Sequence, residues 1–493
     1  MKIKAEAFSL AFYGDRMRRF GFFYALLCAF MMCPVFAGSQ DEKIEILPAF
    51  VPEPKTYVLC IDGYDWGPGS YKAIVNTGRI FSSDAVNKED FSAGVYLAAK
   101  KDSGKTYGPA QSERNICAAY LCDEHGTEIS GKGSFVALEF SVEPEDSFSN
   151  PFVFYMKPGN ASSVFGMKIS NKKLGLSIAR RSAIVSPVAQ QFIAGKSVSI
   201  DDDGEKLELP YTSFIPEKKI PDKKIPLILW FHGAGEGGQN LYTPLLNAPV
   251  AKLAGEKVQQ YFENGVAVLV PVCPTNWLVT VTKDVFGNRI WAPVDIKGAL
   301  RKTMSPIKYV LDNISSTQAD DDENYSAVVS YYTDAVKKLL DDFLKEHPEI
   351  DPERVFVGGV SAGGYMVMNM MLQHPSLFAA AFPICEAFPD SKISNGQIEM
   401  LAEKPVWFSV SKDDSSINPA KHTFSTYERL KNCGADNAVL CTYGKIIDLN
   451  GYKDEDGKPY EYDSHFAWVY VLNGWCVSDE DASLSLFSWL SER

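Results

Sequence analysis

The sequence has 493 residues, of which 46% are hydrophobic and 23% charged, a balance typical of soluble globular proteins that excludes a disordered chain. The 62 acidic residues outnumber the 49 basic ones, and the net charge of −13 argues against a nucleic-acid-binding protein. The only long apolar run lies at the N-terminus, which excludes a polytopic membrane protein, and the length allows about two to four domains.

An apolar run occupies residues 20–37 and follows the basic pair Arg18 and Arg19. A basic flank, an apolar stretch and small residues before a polar segment are the parts of a signal peptide. We expect cleavage after Ala37, which removes residues 1–37 and gives a secreted or periplasmic protein with no stable membrane insertion. The alternative is a retained N-terminal anchor helix.

Residues 38–205 predict a series of short strands. Val136, Leu138 and Phe140 alternate with other residues at the two-residue period of a half-buried strand. Clusters of Gly, Asn, Asp, Ser and Pro separate this run from similar ones, and no long amphipathic helix interrupts them. These features predict an antiparallel β-sandwich domain. The acidic, glycine-containing stretch 201–205 is the predicted domain boundary.

Residues 206–493 follow a different pattern. Near-continuous apolar runs, typical of strands buried on both faces of a parallel sheet, occur at 226–231, 266–272, 355–360, 378–384 and 405–410. Between the runs, apolar residues recur at helical spacing, most clearly over 327–346. Alternating buried strands and amphipathic helices predict an α/β domain with a mostly parallel sheet. Residues 283–325 fit neither pattern and are a predicted insertion.

Residues 359–363 have the sequence Gly-Val-Ser-Ala-Gly, which is a GxSxG motif. Such a motif is a weak signal alone, because it also occurs by chance. Here a predicted buried strand enters the motif and a predicted helix leaves it, which is the strand–turn–helix arrangement of a nucleophile elbow. The helix N-terminus adds positive potential and free N–H groups beside Ser361. Ser361 is therefore the predicted nucleophile.

The apolar run 226–231 ends in the sequence HGAGE, at positions 232–236. Acyl transfer develops negative charge on the substrate carbonyl oxygen, and two backbone N–H groups fixed in advance can stabilise this charge. Such donors usually come from the residue after the nucleophile and from a small-residue loop after an early strand. The predicted oxyanion hole therefore consists of the N–H groups of Ala234 and Ala362.

A serine nucleophile needs a base that is itself oriented by a carboxylate, and in this architecture the chain order is Ser, then Asp or Glu, then His. The late apolar run 405–410 is followed by Asp413 and Asp414. Asp414 is the preferred acid, because it lies a few residues before the proline that starts the next helix. His465, in a loop before the C-terminal helix, is the preferred base, whereas His422 is expected at the surface of a helix.

Three residues near predicted strand ends are candidates for substrate binding, with a structural or packing role as the alternative: His232, Trp277 and Glu386. No organic cofactor and no metal are expected, since the chain has no zinc-type CxxC pairing with His. The cysteines beyond residue 37 could form disulfides in an oxidising compartment or remain buried thiols.

Residues 206–493 resemble the bacterial carboxylesterases of the α/β-hydrolase superfamily that are grouped with prolyl oligopeptidases, polyhydroxybutyrate depolymerases and feruloyl esterases. The resemblance lies in PLILWFHGAGEGG, DPERVFVGGVSAGGYMVMNMMLQHPSLFAAAFPICEA, PVWFSVSKDDSSINPAKHT and YEYDSHFAWVYVLN, in that order. It implies nucleophile, acid and base roles for Ser361, Asp414 and His465. Some members carry an N-terminal immunoglobulin-like domain, and residues 40–205 resemble one.

One departure from the family concerns the acid. Pro419 lies one residue further from Asp414 than in the commoner pattern, which keeps the neighbouring Asp413 open as the alternative. The rest of the resemblance agrees with the order of motifs that the residues themselves predict.

The predicted function is that of an exported serine carboxylesterase, which acts through an acyl-enzyme on small-molecule or polysaccharide-linked esters. The first alternative is a serine peptidase of prolyl oligopeptidase type, although residues 38–205 are too few for the propeller domain of such enzymes. The second is a non-catalytic binding protein on a hydrolase scaffold. A mixed case also stays open, in which the N-terminal sandwich binds polysaccharide, and the oligomeric state is not predicted.

Overall fold

The computed structural model describes residues 46–47, 49–97, 100–102, 105–107, 110–144, 146–151, 153–154, 161–162, 165–217, 220–238, 240–283, 289–294 and 329–493. The predicted signal peptide and most of the predicted insertion at 283–325 lie outside these ranges. Within them, no helix is long and apolar enough to cross a membrane.

The N-terminal domain is built from short strands. They are β1 (Ile46–Leu47), β2 (Thr56–Tyr64), β3 (Gly67–Ser82), β4 (Phe91–Leu97), β5 (Lys100–Asp102), β6 (Lys105–Tyr107), β7 (Ala110–Glu113), β8 (Ile116–Cys122), β9 (Lys132–Phe140), β10 (Val153–Phe154), β11 (Ala161–Ser162), β12 (Phe165–Asn171), β13 (Leu176–Ile178) and β14 (Arg181–Val185). A six-stranded sheet, ordered β1-β14-β2-β3-β9-β8, faces a four-stranded sheet, ordered β13-β12-β4-β7.

Alternating side chains form the core between these two sheets. Val136 and Leu138 on β9 are buried together with Met167 and Ile169 on β12 in one hydrophobic cluster. Because successive side chains of a strand point to opposite faces, each sheet offers one apolar face to the other. The predicted β-sandwich is therefore present in the described residues, but it is not wholly antiparallel, because β14 pairs in parallel with both β1 and β2.

The C-terminal domain alternates strands with helices. Its strands are β15 (Ile193–Ile200), β16 (Lys206–Phe214), β17 (Ile225–Phe231), β18 (Ala267–Pro271), β19 (Val279–Lys283), β20 (Arg289–Pro293), β21 (Ile350–Val360), β22 (Ala380–Ile384), β23 (Val406–Ser411) and β24 (Ala438–Tyr443). Its helices are α1 (Thr243–Leu246), α2 (Glu256–Gln259), α3 (Thr333–Glu346), α4 (Ala362–Gln373), α5 (Asn395–Ala402), α6 (Thr423–Asn432), α7 (Trp468–Leu472) and α8 (Leu486–Ser491).

An eight-stranded sheet forms the centre of this domain, in the order β15-β16-β18-β17-β21-β22-β23-β24. The strands from β18 to β24 in this order are parallel, whereas β16 pairs antiparallel with both of its neighbours. Every residue of β17, β22 and β23 is buried, because helices cover both faces of the sheet. The parallel arrangement brings the carboxyl ends of β17, β21, β22 and β23 to one edge, where ligand sites of α/β sheets form.

The predicted domain boundary at residues 205 and 206 differs from the structure. The stretch 201–205 is the turn of a hairpin, in which β15 pairs along its whole length with β16. In that turn, Asp201 accepts a hydrogen bond from Tyr331 (2.6 Å) and forms an ion pair with Arg289 (2.7 Å). The acidic stretch is therefore part of a folded turn and not of a linker. The chain passes from the sandwich to the α/β domain between β14 and β15.

The two domains contact each other through the turn between β2 and β3. Asp65 in this turn is buried and accepts hydrogen bonds from Lys252 (2.5 Å), Asn473 (2.9 Å) and Asn450 (2.8 Å) of the α/β domain. A buried carboxylate is stable only when it is paired and hydrogen-bonded, so these partners fix the turn against the second domain.

Candidate active site

Ser361 lies at the sharp turn between β21 and α4. Its backbone has φ 57° and ψ −113°, a strained conformation for a residue other than glycine. The glycines of the motif make the turn possible, because a Cβ at Gly363 would lie 2.0 Å from the carbonyl oxygen of Phe231, and one at Gly359 would lie 2.7 Å from it. Ser361 is partly exposed while Ala362 is buried, so the turn directs the serine out of the core.

Asp414 lies in the loop after β23 and is completely buried. Its Oδ1 accepts hydrogen bonds from the backbone N–H groups of Ser416 and Ile417, both at 2.8 Å. Its Oδ2 lies 2.8 Å from Nδ1 of His465. Asp413 is exposed, so of the two adjacent aspartates the structure pairs Asp414 with His465.

His465 lies in the loop between β24 and α7. Its backbone N–H donates to Asp463 Oδ1 (2.8 Å), and its ring meets that of Trp468 edge-on at 5.7 Å between centroids. Burial alone lowers the pKa of His465, but the charge of Asp414 and its hydrogen bond outweigh burial and raise the pKa well above the ordinary value of 6.5. The imidazole is therefore held in one orientation, with Nδ1 facing the carboxylate.

Neighbouring strands bring these loops together. Val360 on β21 pairs with Ile384 on β22, and the N–H of Ser361 donates to the carbonyl oxygen of Ile384 (2.9 Å). Cys385, the next residue after Ile384, is buried and offers its sulfur within 4.8 Å of ligand atoms of Asp414 and His465. The turn of Ser361 and the Asp414–His465 pair therefore share one edge of the sheet.

The cluster of Cys385, Asp414 and His465 is also the group in the described residues whose donor atoms are close enough to hold a metal ion. Asp414 and His465 already bond to each other, which is the arrangement of an acid–base pair. Burial raises the pKa of the Cys385 thiol, so the neutral thiol is favoured over the thiolate that metals prefer.

Sequence reasoning missed Cys385. It follows β22 directly and has φ 37°, a strained value for a non-glycine residue next to a candidate active site. The signal available in the sequence was its position: it follows a strand that neighbours the strand of Ser361 in a parallel sheet.

The loop after β17 is braced by His232. Its Nδ1 donates to the carbonyl oxygen of Gly233 (2.8 Å), and its Nε2 accepts from the N–H of Cys273 (3.0 Å). The carbonyl oxygen of His232 in turn accepts from Nε1 of Trp277 (3.1 Å). Burial lowers the pKa of His232 to about 4, so the ring is neutral and acts as a fixed brace for Ala234.

Glu236, at the other end of the same loop, also holds the loop in place. It is buried, and its two carboxylate oxygens accept from the N–H groups of Gly233 and Ala248. Burial raises its pKa to about 7. The carboxylate therefore ties the start of the HGAGE loop to the residues that follow α1.

Comparison with known proteins shows what each of the two domains is similar to. Residues 331–446 match the prolyl oligopeptidase family, and residues 56–180 match the esterase Ig-like N-terminal domain. The fold is similar to that of a thermostable esterase of known structure, with a TM-score of 0.57 and 22% sequence identity over 89% of this chain and 99% of that one. The chain has the α/β-hydrolase fold, and its N-terminal domain matches the esterase Ig-like domain.

The predicted fold class is thereby confirmed, and the two family matches agree with the predicted resemblance. A poly(3-hydroxyalkanoate) depolymerase C from Paucimonas lemoignei is 42% identical over 50 residues, which are 10% of this chain and 12% of that protein. The hydrolase thus spans only a small part of this curated relative.

Three predicted substrate-binding residues of the hydrolase are in fact internal. His232, Trp277 and Glu386 are each at most 2% exposed, and hydrogen bonds within the protein occupy their polar atoms. Glu386 accepts from the N–H of Phe388 (2.6 Å) and from Thr423 (3.3 Å), and burial raises its pKa to about 8. These side chains therefore hold the loops around the candidate active site in place through internal hydrogen bonds.

The hydrolase also differs from prediction at His422, which was expected at the surface. Its side chain is completely buried at the start of α6, and Nδ1 donates to the carbonyl oxygen of Asn418 (2.7 Å). Burial lowers its pKa. The described cysteines are free thiols.

Proposed function

We propose that the protein is an exported serine carboxylesterase. The observation that carries this proposal is the buried Asp414–His465 hydrogen bond at the same sheet edge as the strained, partly exposed Ser361. An acid-paired imidazole beside a serine on a nucleophile elbow is the arrangement that activates a hydroxyl for acyl transfer. The match to an esterase-type N-terminal domain favours esters as the substrates.

In the proposed reaction, His465 removes the proton of Ser361 while Oγ attacks the ester carbonyl carbon. The bond to the alcohol breaks after His465 returns this proton to the leaving oxygen, which leaves an acyl-enzyme. Water, deprotonated by His465, then attacks the acyl carbon. The bond to Oγ of Ser361 breaks and Oγ takes the proton back from His465, which releases the acid and free Ser361. Asp414 holds the imidazole and stabilises its charged form.

The oxyanion in both halves of the reaction would be bound by two backbone N–H groups. Ala362 is the first residue of α4, where N–H groups have no partner within the helix. Ala234 lies in the loop that His232 and Glu236 brace from either side. Fixed donors of this kind need no reorganisation as charge develops, which is why bracing the loop matters for the rate.

We expect Glu236→Gln to lower kcat by about 10- to 100-fold at pH 8, with a smaller change in KM. An amide can accept from only one of the two N–H groups that the carboxylate now serves, so the loop loses one of its anchors. The measurement is steady-state hydrolysis of p-nitrophenyl acetate. Glu263→Gln, at an exposed surface residue, is the matched control and should behave as the parent protein.

The pH dependence of this effect has a defined sign. Because the pKa of Glu236 is raised to about 7, the parent loses the carboxylate as the pH falls below that value. The ratio of parent to variant activity should therefore shrink between pH 8 and pH 6. A ratio that is constant over this range, or a variant as active as the parent, would contradict the bracing role.

A serine peptidase is the second candidate function, because residues 331–446 match the prolyl oligopeptidase family. Against it stands the N-terminal domain, which in the described residues is a sandwich. The deciding experiment compares kcat/KM for p-nitrophenyl acetate and butyrate with that for chromogenic dipeptides, using the purified mature protein. We expect faster ester cleavage, and a fluorophosphonate probe should label Ser361. Faster amide cleavage would overturn the esterase proposal.

A further inference from the structure

A cleft of about 870 Å³ lies between the two domains. The turn between β2 and β3, with Tyr64, Asp65 and Trp66, forms one side, and residues 450–453 with residues 252–257 form the other. No step of the proposed ester hydrolysis uses this cleft. Its size is that of a binding site for a ligand of several rings and not of a single water or ion.

Aromatic rings from both domains line the cleft. Trp66 stacks on Tyr64 with 5.0 Å between centroids and meets Tyr452 edge-on at 4.7 Å. All three are only partly buried, so ring surface remains open to a ligand. Aromatic rings offer rigid, flat, apolar surface with a polar edge. The C–H faces of sugar rings pack on surfaces of this kind.

Amide and carboxylate groups lie beside the rings. Asn450 and Asn473 both donate to Asp65, and Lys252 bridges Asp65 and Asn473. Asn473 is buried and uses both of its donors, one on Asp65 and one on the carbonyl oxygen of Val469. Asn450 is exposed, and because an amide carries two donors and an acceptor with two lone pairs, Asn450 retains capacity for the hydroxyl groups of a ligand.

The cleft is lined by equal numbers of positively and negatively charged side chains. Three lysines line it, and three acidic residues face them: Lys252, Lys257 and Lys453, with Asp65, Glu143 and Glu256. A site for phosphate or another anion would carry an excess of positive charge. Balanced charge with open rings and an exposed amide favours a neutral, hydroxyl-rich ligand.

A series of ring contacts connects the cleft with the candidate active site. Trp66 stacks on Tyr462 (6.5 Å), Tyr462 on Phe466 (6.4 Å), and Phe466 packs against Trp468 (4.3 Å), which contacts His465 (5.7 Å). The loop between β24 and α7 thus contributes both to the cleft and to the candidate active site. Because Tyr462 and Trp468 are buried, the series runs through the protein and fixes the position of the cleft relative to His465.

We propose that this interdomain cleft binds a neutral polysaccharide and holds the glycan part of an acylated polysaccharide substrate. That the bound polysaccharide is an acylated substrate rests on the proposed esterase function, whereas the binding of polysaccharide by the cleft does not. Both domains contribute to the site, so neither alone completes it.

The binding test uses the full-length mature protein with Ser361→Ala, which cannot turn the ligand over. Affinity gel electrophoresis with xylan, glucomannan and mixed-linkage β-glucan should show retardation by at least one of them. Tyr452→Ala should weaken that retardation about tenfold, since loss of a stacking ring at the centre of a site costs at least this much. Asn450→Ala, at an exposed side chain, is the second variant and should also weaken it.

The control is Tyr96→Ala, which removes an aromatic ring that is 46% exposed on β4, outside the cleft lining. It should leave retardation unchanged, and thermal melting should show that every variant is folded. Absence of retardation by all three polymers would overturn the proposal, as would retardation that neither cleft variant weakens. Retardation by polygalacturonate alone would also overturn it, because that ligand is anionic.

The substrate test uses the active protein. With acetylated xylan, Tyr452→Ala should raise KM about tenfold with little change in kcat, while kcat/KM for p-nitrophenyl acetate stays within twofold. Equal losses on both substrates would overturn the proposal that the bound polysaccharide is an acylated substrate. If the parent protein hydrolysed no ester at all, the proposed function would fail while the binding test still gave its own answer.

Discussion

Replacing Ser361 with alanine is expected to lower kcat for p-nitrophenyl esters by about a millionfold. The substitution removes the only atom that forms the acyl-enzyme in the proposed mechanism, and neither His465 nor the oxyanion donors can replace it. Binding of substrate and oxyanion stabilisation would remain, so a residual rate above that in water is expected. The measurement is steady-state hydrolysis at high enzyme concentration, with fluorophosphonate labelling as a second readout.

The fold should survive this change. Alanine lacks one oxygen and meets the same backbone strain at φ 57° as serine does, so the melting temperature should move by at most a few degrees. Ser483→Ala, at an exposed serine before α8, is the matched control and should keep full activity and labelling. A folded Ser361→Ala protein that retained more than a hundredth of the parent activity would exclude Ser361 as the nucleophile.

Asp414→Asn should lower kcat by about ten-thousandfold, the typical cost of losing the acid of a triad. The amide keeps the size of the side chain and an oxygen that can still accept from Ser416 and Ile417. It loses the charge that stabilises the imidazolium, and it no longer holds His465 in the required tautomer. Asp413→Asn changes the exposed neighbour and should stay within twofold of the parent.

The pH profile gives a second readout of the same pair. The charge of Asp414 raises the pKa of His465, and His465 acts as a base only when it is neutral. In the parent protein, kcat/KM should therefore rise with pH through a value above 6.5. In Asp414→Asn this limb should move to lower pH. An unshifted limb, or an Asp413→Asn protein that is the more damaged of the two, would assign the acid to Asp413.

The sequence could predict those parts of the site that depend on short-range features of the chain, such as a motif or the spacing between residues. Positions 359 and 363 need glycine because an added Cβ at either would lie within 3 Å of the carbonyl oxygen of Phe231, and such a need is visible as a motif. The preference for Asp414 over Asp413 agrees with the observed hydrogen bonds, since only Asp414 lies where the loop N–H groups and His465 converge. Chain order and spacing carry information of this kind.

The parts that sequence reasoning missed depend on contacts between distant segments. His422 is buried although it lies in a polar stretch, because the start of α6 packs against the loop after β22, where Thr423 donates to Glu386. Cys385 gains its place beside His465 only when β22 lies next to β21. The acidic turn 201–205 resembled a linker because its partners, Arg289 and Tyr331, are about ninety to 130 positions further along the chain.

The hairpin of β15 and β16 determines where the chain can be truncated to obtain the α/β domain alone. β15 is the outermost strand of the central sheet and pairs with β16 over Ile193–Ile200. A chain cut at residue 206 would lose that strand and leave without partners the backbone N–H and C=O groups of β16 that now bond to β15. An uncovered strand of this kind invites pairing with a second chain, and the truncated protein would tend to aggregate even though every proposed active-site residue is retained.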